Sequence, residues 1–173
     1  MSEDQRIFLG LGSNIGDRYQ NLKNGIISLN DHPHIWVTDK SHVYQSPAMY
    51  NTELDDFYNM VIEIDTNLIP VELLNEIKNI ETKTGRQQER VKNMPRILDI
   101  DILAIGDLEI HSGLLEIPHG GVSERKFVLK PWNDIAPKFK VPGQNATVSN
   151  ILENTDDDSD VSMVLIFDKE EMI

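Results

Sequence analysis

In the run Pro95-Arg96-Ile97-Leu98-Asp99-Ile100-Asp101-Ile102-Leu103, apolar and acidic residues alternate from Leu98 to Ile102. Period-two alternation marks a β-strand, in which residues i and i+2 share a face. Leu98, Ile100 and Ile102 then turn toward a core, while Asp99 and Asp101 stand side by side on the opposite face. Adjacent like charges repel and are costly to desolvate, so a counter-cation is the natural way to hold them together. Hard oxygen ligands, in a chain without cysteine, point to Mg²⁺ rather than a soft metal. A D-x-D on a half-exposed strand also fits a plain solvated face, and several unrelated phosphoryl- and glycosyl-transferring families carry one. The pair alone therefore names no substrate.

The flanking pattern narrows the fold. Residues 6–12 read as a first strand closed by glycines, and Asp17 suits the N-cap of a helix reaching about Leu29, with Leu22, Ile26 and Leu29 at helical spacing. A second strand is expected over 35–45, a loop over 46–56, and a third strand over 57–65, rich in β-branched and aromatic residues. Pro70 starts an amphipathic helix whose Leu73, Leu74, Ile77 and Ile80 share a face, with Gly85 placed as its C-cap. A loop over 86–94 leads into the aspartate strand, and Ile105-Gly106-Asp107 reads as a turn into a short strand at 108–110. A short helix near 122–125, an apolar step at 127–129 and a last helix from Thr147 follow. The order strand, helix, strand, strand, helix, strand fits a ferredoxin-like α+β unit with a mainly antiparallel sheet. Residues 1–154 read as one catalytic domain, and 155–173 as an acidic tail. Within that tail 155–160 reads as an acidic, mobile linker, and 161–167 is apolar enough to dock as an edge strand.

The net charge of −13 argues against general nucleic-acid binding. From Glu153 onward eight acidic residues face one lysine, whereas Lys83, Arg86, Arg90, Lys92 and Arg96 are opposed by Glu89 alone. A basic cluster leading into an acidic strand suits a small polyanion such as a nucleoside triphosphate, and equally fits a solvated loop. The first residues lack a signal-peptide pattern, and no apolar run reaches the length of a membrane span. Absence of cysteine agrees with a reducing cytoplasm. Gly10-Leu11-Gly12-Ser13-Asn14-Ile15-Gly16 is not a dinucleotide fingerprint, because its third glycine falls one residue late. It reads as a tight strand-to-helix turn with glycines at special φ. His32, His34, His42 and His111 read as surface or turn residues.

Taken together, the motifs resemble the 6-hydroxymethyl-7,8-dihydropterin pyrophosphokinase family. The pieces are Leu9-Gly10-Leu11-Gly12-Ser13-Asn14-Ile15-Gly16-Asp17, Tyr44-Gln45-Ser46-Pro47, Phe57-Tyr58-Asn59, Ile80-Glu81 with Gly85-Arg86, the aspartate run, Ile117-Pro118-His119 and Arg125-Lys126-Phe127-Val128-Leu129. The resemblance implies a ferredoxin-like α/β/α sandwich that moves the β,γ-diphosphate of ATP onto a pterin alcohol and releases AMP. It implies two Mg²⁺ ions at Asp99 and Asp101, with Arg86 and Arg96 serving the transferring phosphates. By the same resemblance His119 and Arg125 contact the triphosphate, and Glu81 lies near the nucleoside. Phe57 and Phe127 would sandwich the pterin ring, while Asn59, Ser46, Pro47 and the backbone near Met49 would meet its polar edge. From the residues alone, both phenylalanines also fit a core. A degenerate pterin- or nucleotide-binding module without turnover, on the same fold, is the competing expectation. A monomer or weak homo-oligomer is expected.

The chain departs from the family pattern in places. Lys92-Asn93-Met94-Pro95-Arg96 stands where Arg-Trp-Gly-Pro-Arg is usual, so Asn93 replaces a tryptophan that helps cover the site. Gln88, Gly120, Leu114 and Glu116 replace residues that are commonly basic, aromatic or polar. These changes imply an active enzyme with altered ATP binding.

Overall fold

In the computed structural model, which describes residues 5–48, 53–85 and 95–166, the chain begins with β1 (Ile7–Ser13), α1 (Arg18–Asn30), β2 (Ile35–Lys40) and β3 (Val43–Ser46). Next come β4 (Phe57–Thr66), α2 (Pro70–Lys83), β5 (Asp99–Ile105) and a small hairpin of β6 (Ile110–His111) and β7 (Glu116–Ile117). A 3₁₀ turn (Val122–Glu124) leads to α3 (Lys126–Ile135), then β8 (Lys140–Val141), β9 (Ala146–Thr147), α4 (Val148–Asn154) and β10 (Ser162–Leu165).

Local signals set the boundaries. Asp17 caps α1 by accepting the Gln20 N–H at 3.0 Å. Pro70 occupies the first turn of α2, where its missing N–H costs nothing, and Glu72 accepts the Ile69 N–H at 3.2 Å. Gly85 ends α2 at φ 102°, a conformation that a side chain would resist.

The main sheet is antiparallel throughout, in the order β10-β3-β4-β1-β5, with β2 paired to the far half of β4. Helices α1 and α2 cover one face, where Leu22, Ile26, Leu29, Leu73 and Ile77 meet Leu9, Leu11, Ile100 and Ile102. Helices α3 and α4 cover the other, where Leu129, Trp132, Val148 and Ile151 meet Phe8, Val61, Leu103 and Ala104. Trp132 is fully buried, with ring centroids 5.4 Å from Phe8 and 5.7 Å from Phe139. Truncating such a side chain typically costs about 3–5 kcal/mol, so this aromatic cluster is what fixes α3 to the sheet. The layers are those of the ferredoxin-like α+β sandwich read from the sequence.

Four local expectations change. The strand expected over 35–45 is broken at Ser41, whose hydroxyl accepts the Val61 N–H at 2.9 Å in place of a strand carbonyl. Helix α3 continues through Pro131, which obscured it in the sequence; the burial of Leu129 and Trp132 outweighs the lost backbone bond. Gly10 and Gly12 are not turn glycines: both lie inside β1, and of that segment Gly16 alone has a positive φ, 68°. Residues 155–160 are not a free linker, since Asp157 and Ser159 bond to α3.

Candidate active site

The antiparallel register builds the site from the sheet upward. On β1, Gly12 lies between Asn59 of β4 and Asp99 of β5, and Gly10 lies between Val61 and Asp101. Directly paired residues share a face, so the carboxylate pair and Asn59 look the same way across a strip of glycine. Leu98, Ile100 and Ile102 point oppositely into the core and are 5% exposed or less, as the alternation predicts. The glycines leave the floor between Asn59 and Asp99 without side chains. A Cβ at Gly12 would meet Asn59 Oδ1 at 3.4 Å and Phe57 Cδ1 at 3.7 Å.

Over this floor lies a cleft of about 650 Å³. Ser46 and Pro47 enter it from the end of β3, Phe57 and Asn59 from the start of β4, and Phe127 and Val128 from the first turn of α3. Arg96, Asp99, Asp101, His119 and Arg125 form its polar side. The fold thus gathers Ser46, Pro47, Phe57, Asn59, Arg96, Asp99, Asp101, His119, Arg125 and Phe127, which the sequence singled out.

The polar side is electrostatically strained. Arg96 Nη1 pairs with Asp99 Oδ1 at 2.9 Å. The Arg96 backbone is itself clamped: its N–H donates to Asn14 Oδ1 at 2.6 Å, and its carbonyl accepts the Asn14 N–H at 3.0 Å. His119 Nε2 lies 3.9 Å from Asp101 Oδ2. The Asp101 side chain keeps 45% of its surface open, with protein packed closely around the strand that carries it. Burial first, and the Asp99 charge second, push its pKa above the ordinary carboxylate value, against the pull of His119, Arg125 and Arg96. On the apolar side, the buried Asn59 Nδ2 donates to Ser46 Oγ at 2.9 Å, which fixes the amide and leaves Oδ1 beside the glycine strip.

Among the described residues no group of three or more histidine, cysteine, aspartate or glutamate side chains could hold a metal ion. Asp99 and Asp101 offer two carboxylates, the number Mg²⁺ commonly takes from protein when waters and phosphates complete its shell.

Some expectations fall elsewhere. Glu81 does not line the cleft: it is 3% exposed on α2, beneath the sheet, and accepts the Ile100 N–H at 2.8 Å. Its carboxylate therefore braces the strand between the two aspartates. Met49, Arg86, Gln88 and Asn93 lie outside the described residues. Gly120 and Glu116 form a pair, because a Cβ at 120 would stand 2.7 Å from Glu116 Oε2. The sequence reasoning missed Gly10 and Gly12 as the floor; their i, i+2 spacing on a strand, matching that of the aspartates, was the available signal. It also missed Arg18, whose guanidinium stacks 4.0 Å from the Tyr58 ring and donates to the Asp56 carbonyl at 2.6 Å. That clamp, with Gln45 Nε2 donating to Asp56 Oδ2 at 2.6 Å, secures the backbone just before Phe57.

The molecule is thus an α+β sandwich whose one glycine floor carries an acidic pair with facing cations on one side and two phenylalanines on the other. Residues 8–137 match the family model for 7,8-dihydro-6-hydroxymethylpterin-pyrophosphokinase, and the chain belongs to that family. It is 40% identical over 151 residues to the 2-amino-4-hydroxy-6-hydroxymethyldihydropteridine pyrophosphokinase of Methylorubrum extorquens, covering 87% of this chain and 94% of that protein. It is also 40% identical over 148 residues to a folic acid synthesis protein of Dictyostelium discoideum, covering 86% of this chain but spanning just 22% of that longer protein. The fold is similar to that of the HPPK-DHPS protein of Plasmodium falciparum solved with pteroate, with a TM-score of 0.69 and 18% identity over 86% of this chain and 42% of the other.

Proposed function

We propose that this protein transfers the β,γ-diphosphate of ATP to the hydroxymethyl oxygen of 6-hydroxymethyl-7,8-dihydropterin and releases AMP, a step of folate synthesis. The observation that carries this reading is the cross-strand row Asn59–Gly12–Asp99, which puts an amide for a flat heterocycle and a carboxylate for a metal on one open floor. The name of the Methylorubrum relative, matched over 94% of its length, supports the same activity.

On this reading Phe57 and Phe127 flank the pterin ring, where two rigid aromatic side chains bind a planar ligand at small entropic cost. Asn59 hydrogen-bonds its polar edge, held in place by Ser46 and with Pro47 beside them; Met49, outside the described residues, is the further residue we assign to this edge. Arg96 and Arg125, with His119 and Arg86, take the phosphates, since guanidinium groups match phosphate oxygens and spread charge. Asp99 and Asp101 would hold Mg²⁺, two ions being the number we assign. The metal supplies neutralisation of the phosphate charge and alignment of the reacting oxygens. Glu81 acts from below by fixing β5, so that both carboxylates keep one orientation. Transfer forms a bond from the pterin oxygen to the β-phosphorus, breaks the bond from that phosphorus to the oxygen bridging to the α-phosphate, and releases the hydroxyl proton. The cysteine-free sequence fits a reducing cytoplasm, and a monomer or weak homo-oligomer is the assembly we assign. Among the described residues no helix is long and apolar enough to cross a membrane.

The test is a product assay with ATP, magnesium and the pterin alcohol. AMP and pterin diphosphate should form one for one, and chelation with EDTA should stop the reaction. Formation of ADP, or of free pyrophosphate with a nucleotidylated pterin, would overturn the assignment.

A further inference from the structure

Helix α3 carries one wall of the cleft on its first turn, yet it lacks a cap of its own. Arg125 occupies its N-cap position and makes no side-chain capping bond. The Lys126 N–H, which lies between the two cleft residues Arg125 and Phe127, instead donates to Asp157 Oδ2 at 2.8 Å. A carboxylate 31 residues downstream thus serves as the cap, and its charge also complements the positive end of the helix. Asp157 is itself fixed, because its Oδ1 accepts the Ser159 N–H at 2.9 Å. Burial alone would push its pKa up, but bonds from Ser159 and the Lys126 backbone outweigh that and hold it below the ordinary value.

The attachment continues along the chain. Lys126 Nζ donates to the Ser159 carbonyl at 3.1 Å, and Lys130 Nζ donates to the Val161 carbonyl. Val161 is 2% exposed, and β10 then pairs with β3, Ser162 opposite Gln45 and Met163 opposite Tyr44. Gln45 immediately precedes Ser46 and Pro47, which enter the other side of the cleft. Residues 155–165 therefore join the two walls of one pocket, and they lie beyond the family-matched region, which ends at residue 137.

We propose that residues 155–165 form a positioning strap for the pocket, in which Asp157 holds the start of α3 and β10 holds β3, so that Phe127 and Arg125 keep their placement relative to Ser46. The inference rests on the proposed function for what the pocket binds, but not for the strap itself. Asp157 is a positioning residue and touches no reactant.

The test compares the full-length wild type with Asp157→Ala, Asp157→Asn, Lys130→Met and Ile35→Val. Ile35→Val removes a buried methyl at the far end of the sheet and controls for loss of stability alone. Hydrogen exchange at the Lys126 amide should quicken by about fivefold or more in Asp157→Ala, the opening that a lost cap corresponds to. It should stay near wild type in Asp157→Asn, which keeps an acceptor oxygen, and in Ile35→Val. Fluorescence titration with 6-hydroxymethylpterin should weaken in the same order, with Lys130→Met showing a smaller loss. This exchange readout needs no ligand, so failure of the wild type to form AMP would sink the proposed function and leave the strap testable. Unchanged exchange and binding in both Asp157→Ala and Lys130→Met, or equal losses in Ile35→Val, would overturn the strap.

Discussion

Replacing Gly12 with alanine separates folding from binding, because the two should move in opposite directions. Gly12 lies within β1, one residue from its end, without a positive φ, so alanine fits its backbone. The added methyl would lie 3.4 Å from Asn59 Oδ1 and 3.7 Å from Phe57 Cδ1, both ordinary van der Waals contacts. Folding then gains the reduced freedom of the unfolded chain, about 0.4–1 kcal/mol. For a chain of this size that raises the melting temperature by roughly 1–4 °C. The methyl nevertheless occupies the floor beside Asn59 and Phe57, the residues proposed above to meet the pterin. Filling a fitted cavity typically costs about 1–3 kcal/mol, which corresponds to roughly 5- to 150-fold weaker binding.

Thermal unfolding without ligand, and calorimetric titration with the pterin alcohol, measure the two terms separately. Gly25→Ala is the converse control. Its Cβ would fall 3.0 Å and 3.2 Å from the Leu98 methyls inside the core, so stability should drop despite alanine's helix propensity, with affinity for the pterin alcohol retained. If Gly12→Ala binds the pterin alcohol as tightly as wild type, the glycine strip is not the ligand's floor. If its melting temperature falls instead, the contact distances do not describe the site.

Three further outcomes follow from the geometry. Because the folded-state pKa of Asp101 is raised, the folded protein favours its protonated form; stability is lost as pH rises from the unfolded value of 3.8 through the folded one. Metal-free Asp101→Asn should therefore melt higher than wild type at pH 7, converge with it at pH 3, and lose both turnover and the stabilisation by added Mg²⁺; a lower melting temperature at pH 7 would contradict the argument. Ser46→Ala strips the Asn59 amide of its 2.9 Å partner and should cost about 1–3 kcal/mol in urea unfolding while weakening pterin binding. Arg18→Ala releases the clamp on Asp56 and Tyr58, and should raise KM for the pterin several-fold with little change in the affinity for ATP measured alone.

Much of this could be read from the sequence because the relevant signals are local. Alternation placed Asp99 and Asp101 on one face, Asp17 and Pro70 marked helix starts, and Gly85 marked an end. What escaped is set by contacts distant in sequence. Helix α3 contains Pro131, and Trp132 on it packs against Phe8 of β1, which no window around residue 131 contains. Its cap is Asp157, within a run whose composition reads as solvated. Glu81, placed near the nucleoside by the family resemblance, instead meets the Ile100 N–H of the sheet, a partner 19 residues away in sequence. The glycines of β1 look like a turn because their meaning lies in the register: Gly12 opposite Asp99 and Asn59, Gly10 opposite Asp101 and Val61.

That register also explains how a sheet can carry two costly features at once. β5 presents Ile100 and Ile102 to the core on one face and the acidic pair to the cleft on the other, so the burial that anchors the strand is independent of the charges it displays. Glu81 ties that strand from below through the backbone, and Arg96 is clamped to Asn14 through its own backbone. Neither tie uses the aspartate oxygens or the Arg96 guanidinium, which leaves those groups facing the cleft. A site held by its backbone can keep two like charges side by side, and burial first, with the Asp99 charge second, pushes the Asp101 pKa up. On the function proposed above, a divalent cation arriving with phosphate oxygens would offset the repulsion between the two carboxylates, and the backbone ties are what would keep them in register for it.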